Sequence, residues 1–368
     1  MRRKSDKFFF VILSLIIVSG ALMFVSASLG ILAKNESLFF SVIFNQLVLG
    51  FGLGLVGMYI CSKIYYKFWR KYSLIFFLFS ILLTAAVFIP HVGWSHGGAQ
   101  RWIQIFGFSF QPVEFLKFGF VLYFAAWLSW ARSRVRNFKF GILPFIVMLS
   151  VIALILFKQP DTKSFILIVS TGVVMLFVSG VPLRYLFGVG AIIAILLSVL
   201  VLVTPYLQNR IKTFLDPSAD PQGASYQIQQ SLITIGSGGI FGRGFGQSIQ
   251  KFGYLPEPQG DSIFAILGEE LGFVGATILL FLYLLFALRG FRIANNSPDL
   301  FSRLFVSGIV ILIVVQLFMH VASVTGVFPL TGVPLPFMSH GGTSIMIYLS
   351  AMGIVLNISK FSAPGDRA

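Results

Sequence analysis

Ten apolar runs, each of a length that crosses a lipid bilayer or comes close to it, dictate what this chain can become. They cover Phe8–Ala33, Leu38–Ser62, Leu74–Pro90, Glu114–Trp130, Gly141–Phe157, Ser164–Ser179, Leu183–Val203, Ile263–Leu288, Leu300–Val324 and Thr343–Ile358. About 20 apolar residues at 1.5 Å rise per residue traverse the hydrocarbon core. Within lipid each segment must satisfy its own backbone N–H and C=O groups, which makes every run a helix. The runs ending at Pro90, Trp130, Phe157, Ser179 and Ile358 are short, so their ends are loosely set. Composition agrees: 11% of the 368 residues are charged, against roughly 25% in soluble globular chains. The expected fold is an all-α polytopic membrane protein with about ten transmembrane helices, built as a single membrane domain over residues 1–368. Phe8–Ala33 is too long for the apolar core of a signal peptide and reads as a retained first span. A lone cysteine, Cys61, leaves no intrachain disulfide and no cysteine metal cluster.

Charge placement sets the orientation. With the N-terminus inside, two thirds of the 27 Lys and Arg residues fall on inner segments, among them Arg2, Arg3, Lys4, Lys7, Lys63, Arg132, Arg289 and Arg367. The positive-inside rule then puts both termini in the cytoplasm, and the net charge of +15 reads as membrane anchoring, not as a nucleic-acid surface. Loops 34–37, 91–113, 158–163, 204–262 and 325–342 lie outside. They hold the Gly-rich, Pro-rich and unusual polar sequence. The long loop 204–262, between the seventh and eighth spans, has no apolar run, yet Phe, Tyr, Leu and Ile recur in it, so it reads as a working part and not as a disordered one.

Several residues there carry chemistry. Asp261 stands where the long loop meets the eighth span, and position alone allows a helix cap or a general base at the lipid boundary. Glu269 and Glu270 lie in the apolar part of that span and need hydrogen-bond or charge partners. Glu114 and Lys117 sit three residues apart on one helical face, as a packing device or a polar cavity. In Gly97-Gly-Ala-Gln-Arg-Trp102, Arg101 can grip phosphate bidentately and Trp102 can anchor at the interface. The short outer turn Lys158-Gln-Pro-Asp-Thr-Lys163 concentrates two Lys beside Asp161 and suits an anionic ligand or a local ion pair. Gly236–Gly246 has no preceding strand and no Gly-Lys-Ser/Thr, so it is not a phosphate-binding loop. No His/Asp/Glu set has metal spacing. These residues fit a transporter, or an enzyme acting on a lipid-linked, phosphate-bearing substrate.

The chain also resembles the SEDS family (shape, elongation, division and sporulation), represented by FtsW and RodA. The resemblance runs from Val25-Ser-Ala-Ser28 to Ser344. It rests on Gly97–Trp102, Gln111-Pro-Val-Glu114, Gln159-Pro-Asp161, Tyr226-Gln with Gln230-Ser231, and Gly236-Ser-Gly-Gly239. Further matches are Tyr254-Leu-Pro-Glu257, Gly268-Glu-Glu-Leu-Gly272, Gly332-Val-Pro-Leu-Pro336 and Ser339-His-Gly-Gly-Thr343. Asp216-Pro217, Asp220-Pro-Gln-Gly223 and Gly246–Phe252 are more similar to the division branch, FtsW, than to the elongation branch. The resemblance implies a peptidoglycan glycosyltransferase that polymerises lipid II at the outer face of the bacterial cytoplasmic membrane, for septal wall synthesis. A lipid II flippase, an elongation-type polymerase and a scaffold without catalysis are the alternatives. It places the essential carboxylate on Asp261 and the Glu–Lys pair on Glu114 and Lys117. Arg101, Trp102, Asp161, Arg243, Lys251 and Glu257 then serve the substrate, and a divalent cation, Mg or Mn, is left open. Its partners are a class B penicillin-binding protein and other divisome members. The chain departs from the family pattern at Gly260 and Ser262, where His-Thr-Asp-Phe is usual, at Thr162, at His320 in place of a common Asn, and at His340 in place of Tyr.

Overall fold

The computed structural model describes residues 5–90, 92–96, 99–105, 108–216 and 225–362. Arg2, Arg3, Lys4, Gly97, Gly98, Pro217, Asp220–Gly223 and Arg367 lie outside the described residues. Thirteen α-helices follow in order: α1 (Lys7–Leu32), α2 (Glu36–Phe44), α3 (Leu53–Lys63), α4 (Tyr66–Ala85), α5 (Pro112–Ala131), α6 (Phe138–Lys158), α7 (Thr162–Val178), α8 (Leu183–Val203), α9 (Pro205–Leu215), α10 (Tyr226–Ser237), α11 (Ile263–Asn295), α12 (Leu300–Val324) and α13 (Gly342–Ser359). A π-helical stretch, Asn45–Gly52, joins α2 and α3 into one span. Among the described residues nine helical segments are long and apolar enough to cross a membrane, and α7, at 17 residues the counterpart of the expected sixth run, is a shorter apolar helix.

The apolar character of the spans has two destinations. In α12 and α13, 72% and 78% of the apolar window is buried inside the protein, whereas in α8 the figure is 11%. The first two are therefore the centre of the bundle, with α5, α7 and α11 packed on α12 and α3 packed on α13. Helix α8 stands at the rim. Between it and α6 and α7 lies an apolar cavity of about 490 Å³ lined by Leu149, Ala153, Phe157, Phe165, Val189 and Ile193.

Two loops hold more structure than their composition announces. Between α4 and α5, where a loop is expected, three short antiparallel strands form: β1 (Gly93–His96), β2 (Ala99–Ile105) and β3 (Phe108–Phe110). Trp94 pairs with Trp102, and Ile103 pairs with both Gly93 and Phe110. Among the described residues this is the one sheet in an otherwise helical fold. The long loop 204–262, expected to be without regular structure, contains α9 and α10. Both helices have a stronger apolar/polar asymmetry than the spans, the pattern of helices lying on a surface and not crossing a bilayer.

Helix α11 is broken. Gly272 has φ +68° and ψ −168°, and a Cβ there would stand 2.3 Å from the Gly242 nitrogen. The freed backbone groups are satisfied by the loop after α10. Phe273 and Val274 donate to the carbonyls of Gly239 and Ile240 at 2.9 and 3.0 Å, and Arg243 and Gly244 donate to those of Glu269 and Glu270 at 2.9 and 3.0 Å. Irregular backbone among spans persists where protein supplies its partners, as here.

Candidate active site

Alternating up and down topology brings the starts of α5, α7, α11 and α13 and the end of α12 to one end of the bundle. The charged residues of the sequence gather there in a cavity of about 150 Å³, lined among others by Arg101, Trp102, Glu114, Lys117, Lys163 and Asp261.

Asp261 is not a helix cap. Ser262 is the residue that caps α11, and it does so without a side-chain bond. The turn that presents Asp261 is tied on every side. Glu257 has φ +46°, unusual for a non-glycine residue, and its carbonyl accepts the N–H groups of Gly260 and Ser262 at 3.0 and 3.2 Å. The Ser262 hydroxyl donates to the Pro256 carbonyl at 2.9 Å and accepts from Gln227 of α10 at 3.2 Å. Ser339 donates to the Gly260 carbonyl at 2.7 Å, and the His340 N–H donates to Gln259 at 2.7 Å. Three positions that depart from the family pattern, Gly260, Ser262 and His340, thus each take part in tying this turn down, through Glu257 and Ser339, through Pro256 and Gln227, and through Gln259. The Asp261 carboxylate rests against Gly332 so closely that a Cβ there would stand 2.8 Å from Oδ2. With φ +64° that position takes glycine on both grounds.

Cations surround this carboxylate. Lys163 donates to the Gly332 carbonyl beside it. Arg101, on β2 one residue pair from buried Ile103 and on the same face, donates through Nε to the Gln159 carbonyl at 3.1 Å and through its terminal nitrogen to Pro160. Arg210 of α9 bonds the Leu330 carbonyl and lies 4.5 Å over the Tyr206 ring. Burial pushes its guanidinium below the usual arginine range, Tyr206 and Asp261 draw it back up, and Arg101 pushes it lower. An arginine has ample margin, so it remains charged at neutral pH. Each cation is held by a neutral carbonyl; Arg101 and Lys163 line the cavity, and Arg210 stands close enough to Asp261 and Arg101 to interact with their charges. Glu114 and Lys117 form a buried ion pair at 2.8 Å, 4% and 2% exposed, within the first two turns of α5.

The remaining predicted residues sit elsewhere or act structurally. Asp161 caps α7, accepting from the Ser164 N–H and hydroxyl at 3.3 and 2.8 Å. Lys251 is buried against Glu270 at 2.7 Å and also donates to Ser26 and to the Gly246 carbonyl, which fills its capacity. Arg243 lies 3.6 Å from Glu269 and bonds Ser237. Neither Arg243 nor Lys251 lines the cavity, and in this structure both fasten the loop after α10 to the acids of α11. Glu257 shapes the Asp261 turn. Lys163 lines the cavity, and Arg210 lies near Asp261 and Arg101. Lys163 was signalled by the lysine-rich turn it closes. Arg210 had no signal beyond its position in the long loop.

The described residues offer a divalent ion no cage of protein ligands alone. Among the described residues no group of three His, Cys, Asp or Glu is placed to hold a metal. At the cavity the donor set is one carboxylate facing cations and one carboxylate already paired with Lys117.

The family model of the FtsW, RodA and SpoVE cell cycle proteins matches residues 6–363. The chain belongs to this family. Stage V sporulation protein E of Bacillus subtilis is 37% identical over 98% of this chain and 99% of its own length. A probable peptidoglycan glycosyltransferase FtsW from Geobacter sulfurreducens is 40% identical over 85% of this chain and 83% of its own. Among solved structures, one describing the structural coordination of polymerization and crosslinking by a peptidoglycan synthase complex superposes with a TM-score of 0.80, at 28% identity and 96% and 97% coverage of the two chains. The rod shape determining protein RodA of Thermus thermophilus superposes at 0.70, with 26% identity and coverage of 96% of each chain. The chain is a multi-pass membrane enzyme of the peptidoglycan glycosyltransferase group.

Proposed function

We propose that the chain polymerises lipid II into glycan strands on the outer face of the bacterial cytoplasmic membrane, with Asp261 as the general base. One observation carries this reading: the Asp261 carboxylate, outside the Glu114–Lys117 pair, and three carbonyl-anchored cations, Arg101, Lys163 and Arg210, gather at one end of the bundle. Asp261 takes the proton of the acceptor sugar's hydroxyl as that oxygen bonds the anomeric carbon of the donor. The bond from that carbon to the pyrophosphate oxygen breaks, and the leaving polyprenyl pyrophosphate carries the electron pair. The cations meet the charge that develops there, in geometry fixed before the reaction. Chemistry needs nothing more from the protein than placement and charge.

The cavity, at about 150 Å³, is below the roughly 300–1,000 Å³ of pockets that enclose whole ligands. It suits a phosphate group and the reacting atoms, with the sugars and peptide outside it. A lipid tail has its own place. Ser164 lines the charged cavity, and the next residue of α7, Phe165, lines the apolar cavity beside α8.

The identities of 37–40% to relatives named for sporulation and FtsW, against 26% to RodA of Thermus, support a septal role over elongation. A class B penicillin-binding protein is the proposed partner, since the superposed synthase complex couples polymerization to crosslinking. The test is lipid II polymerisation by the purified protein with that partner. Asp261→Asn is expected to abolish polymer, a loss of at least about 100-fold for a positioned acid–base group, while the protein still binds lipid II and keeps its thermal midpoint. Wild-type polymer from the variant would remove Asp261 from the chemistry.

A further inference from the structure

Three successive carbonyls beside Asp261 are each held by a different side chain. The Gly332 carbonyl accepts from Lys163, that of Val333 from His320 Nδ1 at 2.7 Å, and that of Pro334 from Gln316 Nε2 at 2.8 Å. Gln316 and His320 stand four residues apart on one face of α12, and both are fully buried. The Val333 carbonyl can only accept, so Nδ1 of His320 carries the proton.

The Gln316 bond continues inward. Tyr348 of α13 donates its hydroxyl to Gln316 Oε1, and that hydroxyl accepts from Lys117 Nζ at 3.3 Å. Lys117 is the partner of Glu114 at 2.8 Å. Gln316 and Tyr348 each donate once and accept once, so the chain from Lys117 to the Pro334 carbonyl has a single polarity, with the Lys117 ammonium at its head donating to both Tyr348 and Glu114. Such a chain stiffens as a unit in a water-poor interior. Its end point is the segment against which Asp261 rests, where a displacement of Gly332 becomes a displacement of the carboxylate.

We infer that Gln316, Tyr348 and His320 are positioning residues for Asp261. By gripping the 332–334 carbonyls they hold the floor of the site, and through Tyr348 and Gln316 they connect the Glu114–Lys117 pair to the carboxylate. This rests on the reading of Asp261 as general base. It gives the buried ion pair a role that contact with substrate does not require.

The experiment measures steady-state lipid II polymerisation by the full chain with its transpeptidase partner, at equal amounts of folded protein, with Asp261→Asn as reference. Gln316→Leu removes the donor to Pro334. It is expected to lower kcat about 10- to 100-fold, the range for misplacing a catalytic group by about 1 Å, and to leave KM for lipid II unchanged. His320→Phe is expected to behave likewise, and His320→Asn, which keeps a donor for the Val333 carbonyl, to recover most of kcat. If Asp261→Asn is inactive and Gln316→Leu keeps wild-type kcat, the positioning role is overturned and the base reading stands. If Asp261→Asn itself polymerises, both fall. A loss that appears in KM alone, or that disappears once activity is divided by folded protein, also overturns the inference. Should Gln316→Leu fail to accumulate, Tyr348→Phe, which deletes one oxygen, decides by the same criteria.

Discussion

At the residue scale the site is an exercise in which charges are left unsatisfied. Lys251 and Glu270, each with no exposed surface, neutralise one another, while Arg101, Lys163 and Arg210 are steadied by carbonyls and keep their charge. The difference separates structural from functional ions, and it could not be read from residue type. Glu114 and Lys117 belong to the first group by geometry and to the second by place. Lys117→Met would leave Glu114 buried without its cation, at about 3–5 kcal/mol of stability. We expect a clear fall in the thermal midpoint in detergent for that variant. The double variant Glu114→Gln with Lys117→Met should regain much of the midpoint, because no lone charge remains buried, and stay impaired in polymerisation. A single variant as stable as wild type would show that the pair is not desolvated in the membrane protein. Gly332→Ala tests the same site from its backbone. A Cβ within 2.8 Å of Asp261 Oδ2, at φ +64°, should remove activity while binding of lipid II persists. Wild-type turnover from Gly332→Ala would mean that the carboxylate works from another position.

At the element scale the governing feature is the break in α11. The freed groups around Gly272 are closed by residues 239–244, and Glu269 and Glu270 just before the break collect the N–H groups of Gly246, Ser248, Ile249 and Gln250. Loop and helix are thus one unit, and the unit ends at Asp261. Gly272→Ala forces a Cβ into the Gly242 nitrogen and the Ile240 carbonyl. Strain of this kind is of order 1–3 kcal/mol, and detaching the loop is its relief. Limited proteolysis should cut Gly272→Ala within 238–254 faster than wild type, and equal protection of the two would contradict the clasp. The spans, the ion pair and Asp261 were legible in the sequence because lipid imposes length and apolarity, and because isolated charges in apolar runs are conspicuous. The sheet at 93–110 and the helices α9 and α10 were not. They are short, and their partners are distant in sequence, as when α10 packs on α11 and α12, Tyr226 bonds Tyr254, or Arg210 bonds Leu330. The ion pairs of Arg243 and Lys251 were hidden for the same reason: their partners, Glu269 and Glu270, meet them only after the chain has turned back on the broken helix.

At the scale of the whole molecule, everything proposed depends on which side of the membrane the charged end faces. The bundle fixes the relation between ends. Arg210 on α9 contacts Leu330 at the cavity end, so exposed Lys212 in the same helix reports that side. Exposed Lys139, at the start of α6 and one span away from the cavity end of α5, reports the other. The basic residues Arg132, Arg134, Arg136 and Lys139 cluster at that far end, where the positive-inside rule places the cytoplasm. Buried Cys61 is the lone cysteine, and Cys61→Ala therefore gives a clean background. In intact cells a membrane-impermeant maleimide is expected to label Lys212→Cys and to reach Lys139→Cys only after the membrane is permeabilised. The opposite pattern would turn Asp261 toward the cytoplasm, where a polymerase of wall precursors has no acceptor strand, and would favour a transport role for the same cavity. Labelling of both positions without permeabilisation would instead mean that the bundle is not crossing the bilayer along its helix axes.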